Sequence, residues 1–286
     1  MTILDKRLHA FRADLADERL AGRVEADRFV SGAPMQVARP VVDMLAAPGP
    51  DAGVNTQLLL GAPVSVFDTR DGFAWAQAQD DGYVGYVDAQ ALSLPGEAAN
   101  HVVSAPRTFL YREPDMKKPR GDALSMGSRL TVTGHAETRG TRFAILPDGQ
   151  AVVEAHIRPV GEHASDWVAV AETLEHTPYL WGGTSGFGID CSGLIQLAMR
   201  MAGRDVLRDS DMQAATIGDA IDPGTDLDGL QRGDLVFWKG HVAIMTDAEN
   251  IIHANGHTML VSREPLARAV SRIGYLYGQP TGFRRP

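Results

Sequence analysis

The chain has 286 residues, 44% of them hydrophobic and 22% charged, the composition of a folded globular protein with room for two or three domains. A formal net charge of −9 argues against nucleic acid and other polyanions as non-specific partners, since binding either takes basic patches. The single cysteine excludes an internal disulfide framework and suits a reducing compartment.

The first twelve residues are of mixed charge from Asp5 onward and lack the apolar run of a secretory leader. No later stretch is long and apolar enough to span a bilayer, so the expectation is a cytoplasmic protein with no membrane partner. Leu4, Leu8, Phe11 and Leu15 predict a short amphipathic helix or an arm packed on the body within residues 1–33. Residues 16–33 are charged and predicted to be irregular.

Residues 34–95 read as a small all-β module, with strands over Val64-Ser-Val-Phe67, Phe73-Ala-Trp-Ala-Gln-Ala78 and Tyr83-Val-Gly-Tyr-Val87 and a turn at Asp81-Gly82. Residues 99–160 repeat it weakly. Leu60 to Val66 aligns with Met126 to Val132, and Asp81-Gly82 with Asp148-Gly149, at offsets of 66 and 67 residues. Both copies resemble bacterial SH3-type barrels, the first more closely through Asp81-Gly-Tyr-Val-Gly-Tyr-Val87.

Residues 165–286 form the last module. Ser165 is a candidate cap for a helix through Trp167, Val170, Ala171 and Leu174. A loop with Gly182, Gly183, Gly186 and Gly188 follows, free of side chains as a site admitting a substrate backbone requires. It leads into a helix with an apolar stripe of Leu194, Leu197, Ala198 and Met201 and a stop at Gly203. Cys191 falls in the first turn, where unpaired N–H groups and the helix dipole favour a thiolate. Ser210 with Gln213 reads as a capping box for a further helix.

Downstream, Arg232 to Thr246 reads as two short strands turning at Lys239-Gly240, with His241 opening the second. Asn250 to Gly256 reads as the next strand, carrying His253. Antiparallel neighbours bring the two rings side by side, so that His241 deprotonates Cys191 and His253 fixes its orientation. His257 invites a metal check with His253 and Cys191, but the Asn255-Gly256 turn makes the rings diverge; no metal and no cofactor is expected. Helices before an antiparallel sheet give an α+β fold.

Tyr179-Leu-Trp-Gly-Gly183, Asp190-Cys-Ser-Gly193, Arg232-Gly-Asp-Leu-Val-Phe237, Gly240-His-Val-Ala-Ile244 and Ile252-His-Ala254 together resemble the NlpC-type papain-like cysteine peptidases, in the order that family has them. The resemblance implies a papain-like domain with Cys191 as nucleophile, His241 as base and His253 as orienting residue. It also implies hydrolysis of the bond after γ-linked D-glutamate in bacterial wall peptides. In the subgroup that carries SH3-type modules and releases L-Ala-γ-D-Glu from free peptides, matching positions line the substrate pocket. Here they are Tyr83, Tyr179, Asp190, Ser192 and Ser210. The acidic residue expected earlier in the first barrel has no counterpart in Ala52 to Gln57, with only Asp51 nearby. The implied partner is a small murein tripeptide or tetrapeptide, handled in peptide recycling. Competing readings are a papain-like amidase or acyltransferase on another amide or lipid, a secreted hydrolase of intact wall, and a binding module with a dead catalytic domain.

Overall fold

Seven antiparallel strands, broken by Gly, Pro and Asp turns, account for residues 33–93 in the computed structural model, which describes residues 4–286. In sheet order they are Val54–Leu59, Val41–Leu45, Val84–Asp88, Phe73–Ala78, Pro63–Arg70, Ala33–Val37 and Leu92–Ser93. The predicted strands and the Asp81-Gly82 turn all form, Gly82 adopting the positive φ (77°) the turn requires.

Residues 101–159 repeat that order with one interruption. Arg120–Ser125, Arg107–Tyr111, Ala151–Val153, Thr141–Ile145 and Gly134–Thr138 make one sheet, and Arg129–Leu130, His101–Val103 and Ile157–Pro159 a second. The break falls at 131–133, where the first copy has the unbroken strand Pro63–Arg70. Hydrogen bonds follow the sequence offset. Val37 N–H donates to Ala62 O, and Val37 O accepts in turn from Gly61 N–H; Val103, Ser128 and Gly127 repeat the exchange 66 residues on. Gly61 and Gly127 both hold positive φ, 77° and 89°, at the turn that makes it possible.

Among the described residues before Ala16 no helix forms; the first helical turn is a 3₁₀ stretch, Glu18–Leu20. Residues 5–15 pack as an arm, burying Ala10 and Leu15 among Phe67, Trp75 and Val84. The segment after it is less irregular than its charge suggests, because a short parallel pair, Ala16–Asp17 with Phe29–Val30, ties it down.

The chain divides into two units, Met1–Glu162 and His163–Pro286. In the second, a six-stranded antiparallel sheet runs Asp219–Ala220, Gly282–Arg285, Leu235–Trp238, His241–Met245, Asn250–Asn255, Leu260–Pro265. Helices α1 (Trp167–Glu172), α2 (Cys191–Met201), α3 (Ser210–Thr216) and α4 (Leu266–Tyr277) accompany it. Strand alternation sends Val236, Trp238, Ala243, Met245 and Ile251 to one face, where they form a core with Leu266, Ala269 and Ile273 of α4. The buried carboxylate of Asp234 receives Arg285 at 2.8 and 2.7 Å, tying the last strand to the sheet. None of the described helices is long and apolar enough to cross a membrane.

Two caps differ from expectation. Asp166, not Ser165, caps α1, its carboxylate accepting from Val168 and Ala169 N–H at 2.9 and 3.1 Å. The Ser210–Gln213 capping box does not form: Asp209 holds the cap position, and Gln213 Nε2 donates instead to Ser192 O (3.0 Å) and Leu207 O (2.9 Å). A buried amide finds better use bridging two chain segments than closing its own helix. At the end of α2, Gly203 has φ 75°, and Arg204 and Gly203 N–H donate to Met199 and Arg200 O, the Schellman pattern that stops a helix.

A candidate cysteine–histidine active site

Cys191 opens α2 and is 8% exposed. Asp190 precedes it in extended conformation, and its Oδ1 accepts from Gly193 N–H at 2.7 Å, the capping bond that fixes where the helix starts. Its Oδ2 accepts from Gly182 N–H at 3.0 Å, tying the glycine-rich loop to the same helix end. The remaining capacity of the carboxylate goes to Arg208, itself 1% exposed, at 3.0 and 2.6 Å. Arg208 also donates to Ser192 Oγ at 2.8 Å. Asp190, expected to line the substrate pocket, therefore spends both oxygens on its own chain.

The glycines have a packing reason as well. A Cβ on Gly193 would stand 2.3 Å from Gly183 O, and one on Gly183 would stand 2.5 Å from Gly188 O. The loop passes so close to the helix that only bare backbone fits.

The surroundings of Cys191 come from three directions. The backbone N–H groups of Val242 and Ser192 are close enough to act on the ionisation of the thiol, favouring its charged form. Val242 follows His241, so Cys191 lies near the start of the histidine strand. Tyr179 is close enough for Cys191 and Asp190 to act on its ionisation; burial first, then their charges, push its hydroxyl up to about 12, leaving a proton donor at neutral pH. Ser210 is half-buried in the first turn of α3, whose Gln213 is bonded to Ser192.

The sheet brings the two histidines together. Trp238 pairs with His241 across the Lys239-Gly240 turn, Gly240 taking φ 73°. Ile244 pairs with Ile252, a register that sets His241 Nε2 2.9 Å from His253 Nδ1. His253 is 1% exposed, and its Nε2 lies 3.0 Å from Glu264 Oε1 on the neighbouring strand. Arg272 of α4 donates to the same oxygen. His257 lies past the end of the His253 strand, its N–H on Asn255 Oδ1. Among the described residues no group of three or more His, Cys, Asp or Glu is placed to hold a metal ion.

The electrostatics of the resting site differ from the thiolate expected at a helix start. Burial, then the charge of Asp190, push the Cys191 thiol up to about 12. Burial, then the neighbouring His253 ring and the Arg272 guanidinium, lower His241 to about 3. Loss of hydration outweighs the dipole of α2, so the resting pair is a thiol and a neutral imidazole. Such a pair can pass one proton from sulfur to nitrogen as the sulfur attacks a carbonyl.

Tyr83 lies in the first unit at the Asp81-Gly82 turn, buried, its N–H on Asp81 Oδ1 at 3.0 Å. Sequence reasoning missed Arg208, Glu264 and Arg272. Arg208 had a signal in its position between two helices and beside Asp209-Ser210, but nothing in it announces burial.

Residues 176–272 match the NlpC/P60 family, and residues 44–92 match the SH3 domain of bacterial dipeptidyl-peptidases. The chain is similar to the gamma-D-glutamyl-L-lysine dipeptidyl-peptidase of Bacillus cereus, 29% identical over 236 residues that cover 70% of this chain and 67% of that protein. It is also similar to dipeptidyl-peptidase 6 of Lysinibacillus sphaericus, 25% identical over 83% of this chain and 97% of its relative. In fold it resembles the crystal structure of an NlpC/P60 family protein from Bacillus cereus, with a TM-score of 0.72 at 23% identity, covering 88% of this chain and 99% of that one.

Proposed function

We propose that the chain, whose residues 176–272 match the NlpC/P60 family, is a cysteine peptidase of that family cleaving the γ-D-glutamyl–L-diamino-acid bond of free wall peptides, releasing L-Ala-γ-D-Glu. The observation that carries this reading is Cys191 at the start of α2, near the backbone of the residue after His241, with His253 Nδ1 2.9 Å from that histidine's Nε2. Relatives named as dipeptidyl-peptidases support the substrate class.

In the reaction, the Cys191 proton passes to His241 as Sγ attacks the γ-carbonyl carbon of D-glutamate. The C–N bond then breaks, His241 returns the proton to the leaving amine, and a thioester remains on Cys191. Water deprotonated by His241 hydrolyses the thioester and restores the thiol. His253 holds the ring of His241 throughout. Tyr179, protonated at neutral pH, offers a hydroxyl donor toward the substrate. Ser192 and Ser210 are proposed as pocket residues, and Asp190 contributes by fixing the loop and helix start that shape it. Tyr83 is proposed as a substrate residue on the sequence resemblance alone. On this reading residues 99–160 are a second SH3-like module, and the enzyme works inside the cell on soluble fragments in murein-peptide recycling.

The test is incubation of the full chain with L-Ala-γ-D-Glu-meso-diaminopimelate and with its L-lysine counterpart, read by mass spectrometry. Release of L-Ala-γ-D-Glu is expected from at least one. An N-acetylated or muramyl-linked peptide should be a far poorer substrate, since a site built for a free amine leaves its acceptors unpaired when the amine is blocked. Equal kcat/KM on free and blocked peptides would rule out the recycling role.

A further inference from the structure

Four side chains stand in a line on the sheet face that packs against α4. His241 Nε2 lies 2.9 Å from His253 Nδ1, His253 Nε2 lies 3.0 Å from Glu264 Oε1, and Arg272 closes the line on that same oxygen. A carboxylate accepts and does not donate, so the proton between His253 and Glu264 sits on His253 Nε2. The neutral His253 ring then has one lone pair left, at Nδ1, and His241 Nε2 must donate to it. That leaves the His241 lone pair at Nδ1, the one ring nitrogen free to take a proton from Cys191. Reversing any bond in the line removes that acceptor. His253 is 1% exposed, so solvent has little access to its nitrogens to offer a substitute partner.

We propose that Glu264, anchored by Arg272, is a positioning residue that sets the tautomers of His253 and His241 and so keeps His241 a base toward Cys191. The direction of the line depends on Glu264 being ionised. Burial raises its pKa, but hydrogen bonds from His253 and Arg272 outweigh burial and hold the carboxyl at about 2. The charged groups facing one another here come from every element involved: His241, His253 and Glu264 from three adjacent strands and Arg272 from α4. Arg263, next in sequence to Glu264, is turned away toward Glu175 and Glu172. Glu264 touches no reacting atom; its effect reaches the thiol through two rings.

The kinetic arm of the test rests on the proposed peptidase reaction, whereas the spectroscopic arm needs no substrate. Histidine in the full chain is labelled with ¹⁵N, and long-range ¹H–¹⁵N correlations are recorded at neutral pH. Both rings are expected as Nε2–H tautomers. Glu264→Leu should populate Nδ1–H forms, slow iodoacetamide capture of Cys191, and lower kcat on the tripeptide about 10- to 100-fold at unchanged KM, the usual cost of losing an orienting partner. Glu264→Gln should recover part of the loss, because one oxygen remains where both donors converge. An Nδ1–H form on either ring of the unmodified protein overturns the proposal, and so does a folded Glu264→Leu with unchanged tautomers. A wild-type protein that cleaves neither tripeptide refutes the peptidase reading and leaves the tautomer measurement to judge this one.

Discussion

Arg208 donates to both oxygens of Asp190, at 3.0 and 2.6 Å, from a position only 1% exposed. The pair sits next to Cys191 and joins the glycine-rich loop, the start of α2 and the approach to α3 through one carboxylate. Removing the cation leaves a buried anion without its counter-charge, held only by the Gly182 and Gly193 N–H groups, which costs about 3–5 kcal/mol. Arg208→Met should lower the denaturant midpoint of the catalytic unit accordingly, and Arg208→Lys should recover little, since an ammonium cannot reproduce the two-pronged geometry. A midpoint for Arg208→Met within error of wild type would show that Asp190 tolerates isolation.

Cys191 should be captured slowly by iodoacetamide near pH 7, no faster than a free small-molecule thiol, and faster as the pH rises. The reason is the thiol pushed up to about 12 by burial. Capture should abolish hydrolysis, as should Cys191→Ala. Rapid, pH-independent labelling would mean that the resting site already holds a thiolate.

His241→Ala should cost more than His253→Ala. The first removes the group that moves a proton in both half-reactions, about 10²- to 10⁴-fold. The second removes only what holds that group. Single-turnover rates on the tripeptide rank the two variants, and the opposite ranking would exchange their roles.

Acid should destabilise the catalytic unit through two groups acting in the same direction. His241 stays neutral in the folded chain down to about 3, against an ordinary value of 6.5, so between these values the unfolded chain binds more protons. Stability therefore falls as the pH drops from 6.5 toward 3. Glu264 is held at about 2 against an ordinary 4.5, so its contribution is present above 4.5 and is lost as the pH falls toward 2. Urea midpoints between pH 7 and 4 should decline less steeply in His241→Gln than in wild type. Parallel declines would assign the acid sensitivity to other groups.

Much of the site was legible because its chemistry is local in sequence. Cys191 at a glycine-flanked helix start, and two histidines in consecutive strands, follow from periodicity and turn residues alone. So does the repeat of 66 residues, which reappears as matching hydrogen bonds around Gly61 and Gly127. Partners set by tertiary register were not legible. Glu264 reaches His253 only because Ile251 pairs with Glu264 and His253 with Ser262, and Arg272 reaches Glu264 only because α4 packs back over the sheet. Gln213 obeyed a long-range demand from Ser192 and Leu207 over a local one from Ser210. The loop glycines looked like an opening for substrate, and the close approach of Gly183 to Gly193 gives them a second purpose.

The protonated, enclosed state of Cys191 also bears on oxidative ageing. Peroxide attacks thiolates that solvent can reach, and this sulfur carries its proton and is 8% exposed. A protein whose one thiol is its proposed nucleophile has no second cysteine to form a protective disulfide. Its protection instead comes from withholding the reactive form until a carbonyl carbon is in place. Inactivation by dilute peroxide at neutral pH should accordingly be slow and should quicken with alkalinity; fast loss of activity at neutral pH would show that the sulfur is open to oxidants after all.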